Sequence, residues 1–99
     1  MDVIISSLHF KADAKLENFI REKVNKLSSI FDGVIGSEVT LKVMQSSTNE
    51  NKVADIKLII PGNDLFAKKQ AKTFEEAVDS AVEALRRQLK KHKEKVRGL

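Results

Sequence analysis

Apolar residues recur along this chain at two periods, and the switches between them mark six elements. Val3 to Ser6 is a short β-branched run that predicts a first strand. Leu16, Phe19, Ile20, Val24, Leu27, Ile30 and Phe31 then fall at steps of three and four, the spacing that gathers side chains on one face of a helix. Asp13 stands where an N-cap belongs and Gly33 where a C-terminal stop belongs, so the pattern predicts a helix of roughly 18 residues. From Glu38 the period becomes two. Val39, Leu41 and Val43 point inward between Glu38, Thr40 and Lys42; after the polar loop SSTNEN at 46–51, Ala54, Ile56, Leu58 and Ile60 alternate with Asp55, Lys57 and Ile59. PGND at 61–64 is a turn, because proline fixes one backbone angle and glycine admits a positive one. Leu65 to Ala71 predicts a fourth strand, with Leu65 and Ala67 inward and Phe66, Lys68 and Gln70 outward. Phe74, Ala77, Val78, Ala81, Val82, Leu85, Leu89, His92 and Val96 restore the helical period, and with Thr73 as N-cap they predict a long helix over about 73–97.

The order is therefore β-α-β-β-β-α, an α+β fold. A strand, a crossover helix and a second strand imply a parallel unit, and the next two strands follow as hairpins, giving a four-stranded mixed sheet. Each helix has one apolar stripe and the sheet one apolar side, so both helices are expected to pack on one face. The other face, with Thr40, Lys42, Asp55, Lys57, Phe66 and Lys68, is left to solvent. Ninety-nine residues without a repeat, linker or low-complexity tract make residues 1–99 a single domain.

Charge changes this picture at one place. The chain carries a net +4, but from Arg86 onward there are seven Lys or Arg against one acid, Glu94, while the preceding 85 residues hold eleven bases and thirteen acids. The net positive charge thus belongs to the end of the last helix. Early Glu75, Glu76, Asp79 and Glu83 and late bases complement the helix dipole, which accounts for two or three cations and not for seven, because the effect fades within the last turn. Arg86, Lys90, Lys93 and Arg97 form a row along one flank of the apolar stripe, and Arg87, Lys91 and Lys95 form a second row further round. Two rows of cations with hardly a carboxylate between them repel one another, and a polyanion relieves that repulsion. The expected partner is a phosphate surface. Lys23 projects within the stripe of the first helix, where its stem would lie along the core edge and its ammonium reach outward.

Chemistry of other kinds finds little support. With 41% hydrophobic and 32% charged residues the chain reads as a soluble globular protein. MDVIISSLHF lacks the basic start and longer apolar run of a signal peptide, and no run approaches a membrane span, so the cytoplasm is the expected compartment and no membrane is a partner. The absence of cysteine excludes disulfides and thiolate zinc sites, and two isolated histidines, His9 and His92, do not build a metal site. His92, on the apolar stripe near the helix end, either packs or contacts RNA. Gly33 and Gly36 flank a helix end and form no phosphate cradle; no cofactor, catalytic constellation or small-molecule substrate is expected, and the chain is read as a non-enzyme. Of five phenylalanines only Phe66 falls on the open sheet face, too few for a base-stacking platform.

The turn segment IIPGNDLFAK, followed after about a dozen residues by FEEAVDSAVEALRRQLKKHKEK in the β-α-β-β-β-α order, resembles the short ribosome hibernation promoting factors, the group that includes ribosome-associated inhibitor A. The resemblance covers nearly the whole chain. It implies a double-stranded-RNA-binding-domain-like fold and a protein that enters the decoding channel of the small ribosomal subunit. There it would overlap the tRNA and messenger sites and silence translation in stationary phase or stress. It further implies contacts to the 16S-type ribosomal RNA from Arg86, Arg87, Lys90, Lys91, Lys93, Lys95 and Arg97, with Lys23 and Lys26 at positions where the family tends to be basic. Lys42 and Lys57 on the open face, and His92, are secondary candidates. The chain departs from the family pattern at His9, Lys11, Phe66 and Lys69. It ends two residues after Arg97, as expected for a minimal short form without the pairing domain of long forms or an acidic tail; a second hibernation factor is a further candidate partner. Two alternatives stay open: a general double-stranded RNA-binding protein, and a protein-interaction module that modulates a transcription factor.

Overall fold

In a computed structural model that describes residues 1–45 and 48–96, the six predicted elements appear in the predicted order. They are β1 (Asp2–Ser7), α1 (Ala14–Asn25), β2 (Gly36–Val43), β3 (Lys52–Ile59), β4 (Leu65–Ala71) and α2 (Phe74–Val96). The sheet runs β1-β2-β3-β4. β1 lies parallel to β2, from Asp2 opposite Gly36 to Ser7 opposite Leu41, while β2–β3 and β3–β4 are antiparallel, so the sheet is mixed. Val3, Val39, Leu41, Ala54, Ile56, Leu58 and Ala67 present one face of this sheet to Ile20 and Val24 of α1 and to Ala77, Val78, Ala81, Leu85 and Leu89 of α2, in one continuous hydrophobic cluster. Both helices therefore share a face, because two single-striped helices and one apolar sheet side close a two-layer core.

The helix starts follow from capping. The Asp13 carboxylate accepts from the Leu16 amide at 2.8 Å, and the Thr73 hydroxyl oxygen accepts from the Glu76 amide at 3.1 Å; each satisfies a first-turn donor that has no partner within the helix. Asp13→Ala is expected to destabilise the fold by about 1 kcal/mol, lowering the thermal midpoint by ~4–8 °C in scanning calorimetry.

The end of α1 differs from the sequence expectation. Regular helix stops at Asn25 and the chain tightens into a 3-10 turn over Lys26–Ser29, so the predicted 18-residue helix is a 12-residue α-helix with a different extension. The hydroxyls of Ser28 and Ser29 donate to the carbonyls of Asn25 and Lys26, both at 2.7 Å, and these local bonds compete with the regular ladder. Leu27 stays buried, which is why the apolar period carries through the change. Gly33 is not a left-handed stop; it lies beside the Phe31 ring, and a β-carbon there would require that ring to shift. Val43, expected inward, is 51% exposed at the last position of β2.

The turn before β4 is as expected. The Asn63 amide donates to the Ile60 carbonyl at 3.2 Å, and Gly62 has φ +82°, as a type II turn with proline at its second position requires. The Asp64 carboxylate accepts from the Ile60 amide at 3.2 Å and closes the turn from within. His9 takes φ 67° just after β1, a left-handed position that the sequence pattern does not announce. A helix side chain caps each outer strand: Arg21 donates to the Val3 carbonyl at 2.6 Å and Gln88 to the Phe66 carbonyl at 2.9 Å. Both edges thereby lose an acceptor that another strand could use.

Candidate nucleic-acid interface

Charge and burial divide α2 into two halves. Its 23 residues span about 35 Å at the rise of an α-helix. Ala77, Val78, Ala81, Leu85 and Leu89 are fully buried, His92 is half-buried, and Val96, the next position of the same stripe, is 61% exposed. The apolar anchor thus ends at Leu89, and the last two turns carry cations on a helix that has nearly left the core.

The two predicted rows lie on opposite flanks. Arg86 and Lys93 face α1 and its 3-10 turn, with Lys90 on the same ridge and exposed. Here Lys23, Lys26 and Arg86 rim a groove of about 430 Å³ floored by Leu27, Ile30 and Val82. On the other flank Lys91 and Lys95 lean toward the turn before β4, where a hollow of about 250 Å³ is bounded by Asn63, Leu65 and Gln88. Arg87 shares that ridge and is exposed. His92 sits between the flanks, its ring edge-on to Phe31 with centroids 5.2 Å apart and planes at 84°, so packing fixes its direction. Arg97 lies outside the described residues.

Ion pairing sorts these cations. Among the described residues, Arg87, Lys90, Lys91, Lys93 and Lys95 have no carboxylate partner, and neither do Lys26 and Lys42. Arg86 approaches Glu83 at 3.9 Å, with both side chains more than half exposed, a pair too weak to withdraw the guanidinium from other partners. Lys23 is more engaged: its ammonium lies 3.2 Å from Asp79 on α2 and 5.5 Å from the centre of the Phe19 ring, bridging the two helices. Lys57 sits between Glu38 at 4.0 Å and Asp64 at 3.6 Å. Lys42 and Lys57 occupy the face of the sheet opposite the helices, in register with Val53 and with Glu38 and Phe66. The structure therefore gathers Lys23, Lys26, Arg86, Arg87, Lys90, Lys91, Lys93 and Lys95 with His92 on the helical side and leaves Lys42 and Lys57 apart. Phe66 is 59% exposed on that other face.

Sequence reasoning missed Asn63 and Gln88. Both are polar residues beside the second cation row, and their only signal was that Asn63 follows the turn glycine and Gln88 stands three residues before Lys91. Among the described residues no group of three or more His, Cys, Asp or Glu is placed to hold a metal ion, and no helix is long and apolar enough to cross a membrane.

Residues 3–97, nearly the whole chain, match the family described as Sigma 54 modulation protein / S30EA ribosomal protein. The chain belongs to that family. Among its relatives, the ribosome hibernation promoting factor of Pseudomonas putida is 34% identical over 99 residues, which cover all of this chain and 93% of the relative. The fold of this family member is also that of two solved structures. The N-terminal domain of Thermus thermophilus Protein Y superposes with TM-score 0.81 at 19% identity, covering 93% of this chain and 99% of that one. A ribosomal subunit interface protein from Coxiella burnetii superposes with TM-score 0.82 at 17% identity, covering 94% and 98%. The resemblance seen in the turn segment and the basic helix thus extends to the family and the architecture.

Proposed function

We propose that this S30EA family member is a ribosome-binding translation inhibitor acting in ribosome hibernation. In this reading residues 1–99 form one ribosome-binding domain that occupies the decoding channel of the small subunit in stationary phase or stress and excludes tRNA and messenger by volume. No catalytic step is needed, because a rigid domain wedged between RNA surfaces blocks the channel and is held by cations on phosphates. The observation that carries the reading is the row structure of α2: among the described residues five of its cations, Arg87, Lys90, Lys91, Lys93 and Lys95, have no carboxylate partner and stand on a helix anchored by its other half. The names of the relatives supply the ribosome as the polyanion. Lys26 and Arg86 extend the phosphate surface along the groove to α1. Lys23 belongs first to the bridge with Asp79, and its contact to RNA requires that pair to open or to be shared.

The test is sedimentation of stationary-phase lysate through a sucrose gradient, following the protein across the ribosomal fractions as salt rises. Neutralising about five phosphates gives a log-log salt slope of roughly 3.5 to 4.5, so a fourfold rise in salt is expected to weaken association by ~100- to 500-fold. A protein found only at the top of the gradient under gentle salt would sink the reading. Comparable binding to any long RNA duplex would replace it with general duplex binding, and a nuclease-resistant complex with an acidic protein would replace it with a protein partner.

A further inference from the structure

The face of the sheet opposite the helices is ordered across its strands. Ile4, Glu38, Lys57 and Phe66 stand side by side on β1, β2, β3 and β4, in one row perpendicular to the strands. The ends of the row are apolar and open, Ile4 at 61% and Phe66 at 59% exposure, and its centre is one acid beside one base. The next row reads Ser6, Thr40, Asp55 and Lys68. With Asp2 and Lys42 the face holds three acids and three bases, so it offers no net attraction to a polyanion. The cations of α2 lie beyond the core, on the other side of the domain.

Apolar side chains exposed singly need no partner. What distinguishes this row is its symmetry: from either end it runs apolar, charged, charged, apolar, and the two charges are opposite. A two-fold axis along the strands, midway between β2 and β3, lays a second copy with β1 over β4 and β2 over β3 in the same rows. Ile4 then meets the partner's Phe66 and Glu38 the partner's Lys57, and the two-fold makes each contact twice. Lys57 already stands 4.0 Å from Glu38 of its own chain, so the four central groups form a rectangle of alternating sign. In the next row Thr40 faces the partner's Asp55, offering a hydroxyl donor to a carboxylate that has no cation partner among the described residues. A two-fold axis along the row would instead set Glu38 on Glu38 and Lys57 on Lys57. Charge therefore selects the first arrangement and rejects the second.

We propose that the open sheet face is a self-recognition surface, on which a second copy of this chain docks sheet to sheet about the axis between β2 and β3. Both α2 helices are then left outward, at the greatest separation the two domains allow. Four strands ~4.8 Å apart and about six residues of ~3.3 Å each give a footprint of roughly 400 Å² per copy. That is the low end of specific interfaces, so the dimer is weak and reversible, with a dissociation constant of order 0.1 mM. The pairing uses none of the α2 cations and stands or falls independently of the ribosomal reading.

Charge reversal tests it. Glu38→Lys alone sets lysine on lysine at both central contacts, and Lys57→Glu alone sets glutamate on glutamate. Mixed in equal amounts, the two variants can pair with each other with both central contacts again of opposite sign. The full chain would be followed by sedimentation equilibrium and by NMR of the Ile4 methyl and Phe66 ring signals from about 0.02 to about 1 mM, with circular dichroism to verify folding. Wild type should show concentration-dependent shifts at Ile4 and Phe66, none at the buried Leu85 methyls, and an apparent mass that rises toward a dimer. Each charge variant alone should associate at least ~10-fold more weakly, and the mixture should return to within about threefold of wild type. The double variant Glu38→Lys with Lys57→Glu keeps opposite charges within and between sheets and should dimerise like wild type. Phe66→Ala, which leaves every charge in place, should weaken association by ~10-fold, because its contact is lost twice. Signals and mass that stay constant up to about 1 mM overturn the proposal. Association in which the mixed variants pair no better than either alone also overturns it, because the contact then lies elsewhere on the molecule.

Discussion

Lys90→Glu combined with Lys91→Glu is expected to abolish ribosome association while leaving the fold intact. Both residues are exposed and, among the described residues, neither has a carboxylate partner, so the change breaks no ion pair there. One residue lies on each flank of α2, so neither row escapes. Four units of charge are removed from a segment whose described residues, Arg86 to Val96, hold six bases and one acid. In the linear salt relation two lost phosphate contacts remove two of about five counterion-release terms, and the new carboxylates repel phosphates in addition. A loss of at least ~100-fold in association is the expected outcome, read by pelleting at low salt. Circular dichroism and the thermal midpoint should stay close to wild type, since exposed substitutions away from caps and core change stability by about 0.5 kcal/mol or less. Retained pelleting would remove α2 as the anchor.

The same independence of charge and packing explains what the sequence could disclose. Period is a one-dimensional signal, and every element that buries a stripe or a face announced itself: β4 runs over Leu65–Ala71 as read, and α2, described over Phe74–Val96, lies within the predicted span. The cation rows of α2 were legible for the same reason, because a helix turns spacing directly into direction. Failures came where a local bond or a distant partner decides. The 3-10 turn after α1 depends on two serine hydroxyls competing for carbonyls, and its apolar spacing is nearly that of the helix it replaces. Gly33 looked like a stop because the close approach of the Phe31 ring, two residues back, leaves no mark in the pattern. Val53, to which the sequence pattern assigned no face, shares the parity of Asp55 and Lys57 and is fully buried, in register between Lys42 and Gln70. Lys23 and Lys57 could be counted as cations from the sequence, but their pairing with Asp79 and with Glu38 and Asp64 is long-range and appears only in the fold.

Leu89→Ala is expected to have the opposite signature: a large loss of stability with the phosphate surface chemically unchanged. Leu89 is fully buried and is the last fully buried residue of the α2 stripe, followed by half-buried His92 and exposed Val96. Truncating it removes transfer free energy and leaves a void, together about 2–5 kcal/mol. For a domain of this size, whose total stability is of order 5–15 kcal/mol, that is a substantial fraction, and each kcal/mol corresponds to a midpoint shift of ~4–8 °C. The thermal midpoint should therefore fall by at least ~8 °C in calorimetry. The void opens directly beneath the basic turns, so the loss is not evenly spread. Amide hydrogen exchange in residues 90–96 should accelerate more than in residues 74–81, because the C-terminal turns lose the deep anchor at Leu89 while the N-terminal turns keep Ala77, Val78 and Ala81. Well below the lowered midpoint, ribosome association should weaken by less than tenfold, since every cation remains, and it should fail steeply on warming. A midpoint within ~2 °C of wild type would show that the cavity collapses and that Leu89 is not the anchor. Loss of association at low temperature with native exchange would show instead that the basic turns need the geometry Leu89 imposes, beyond the stability it contributes.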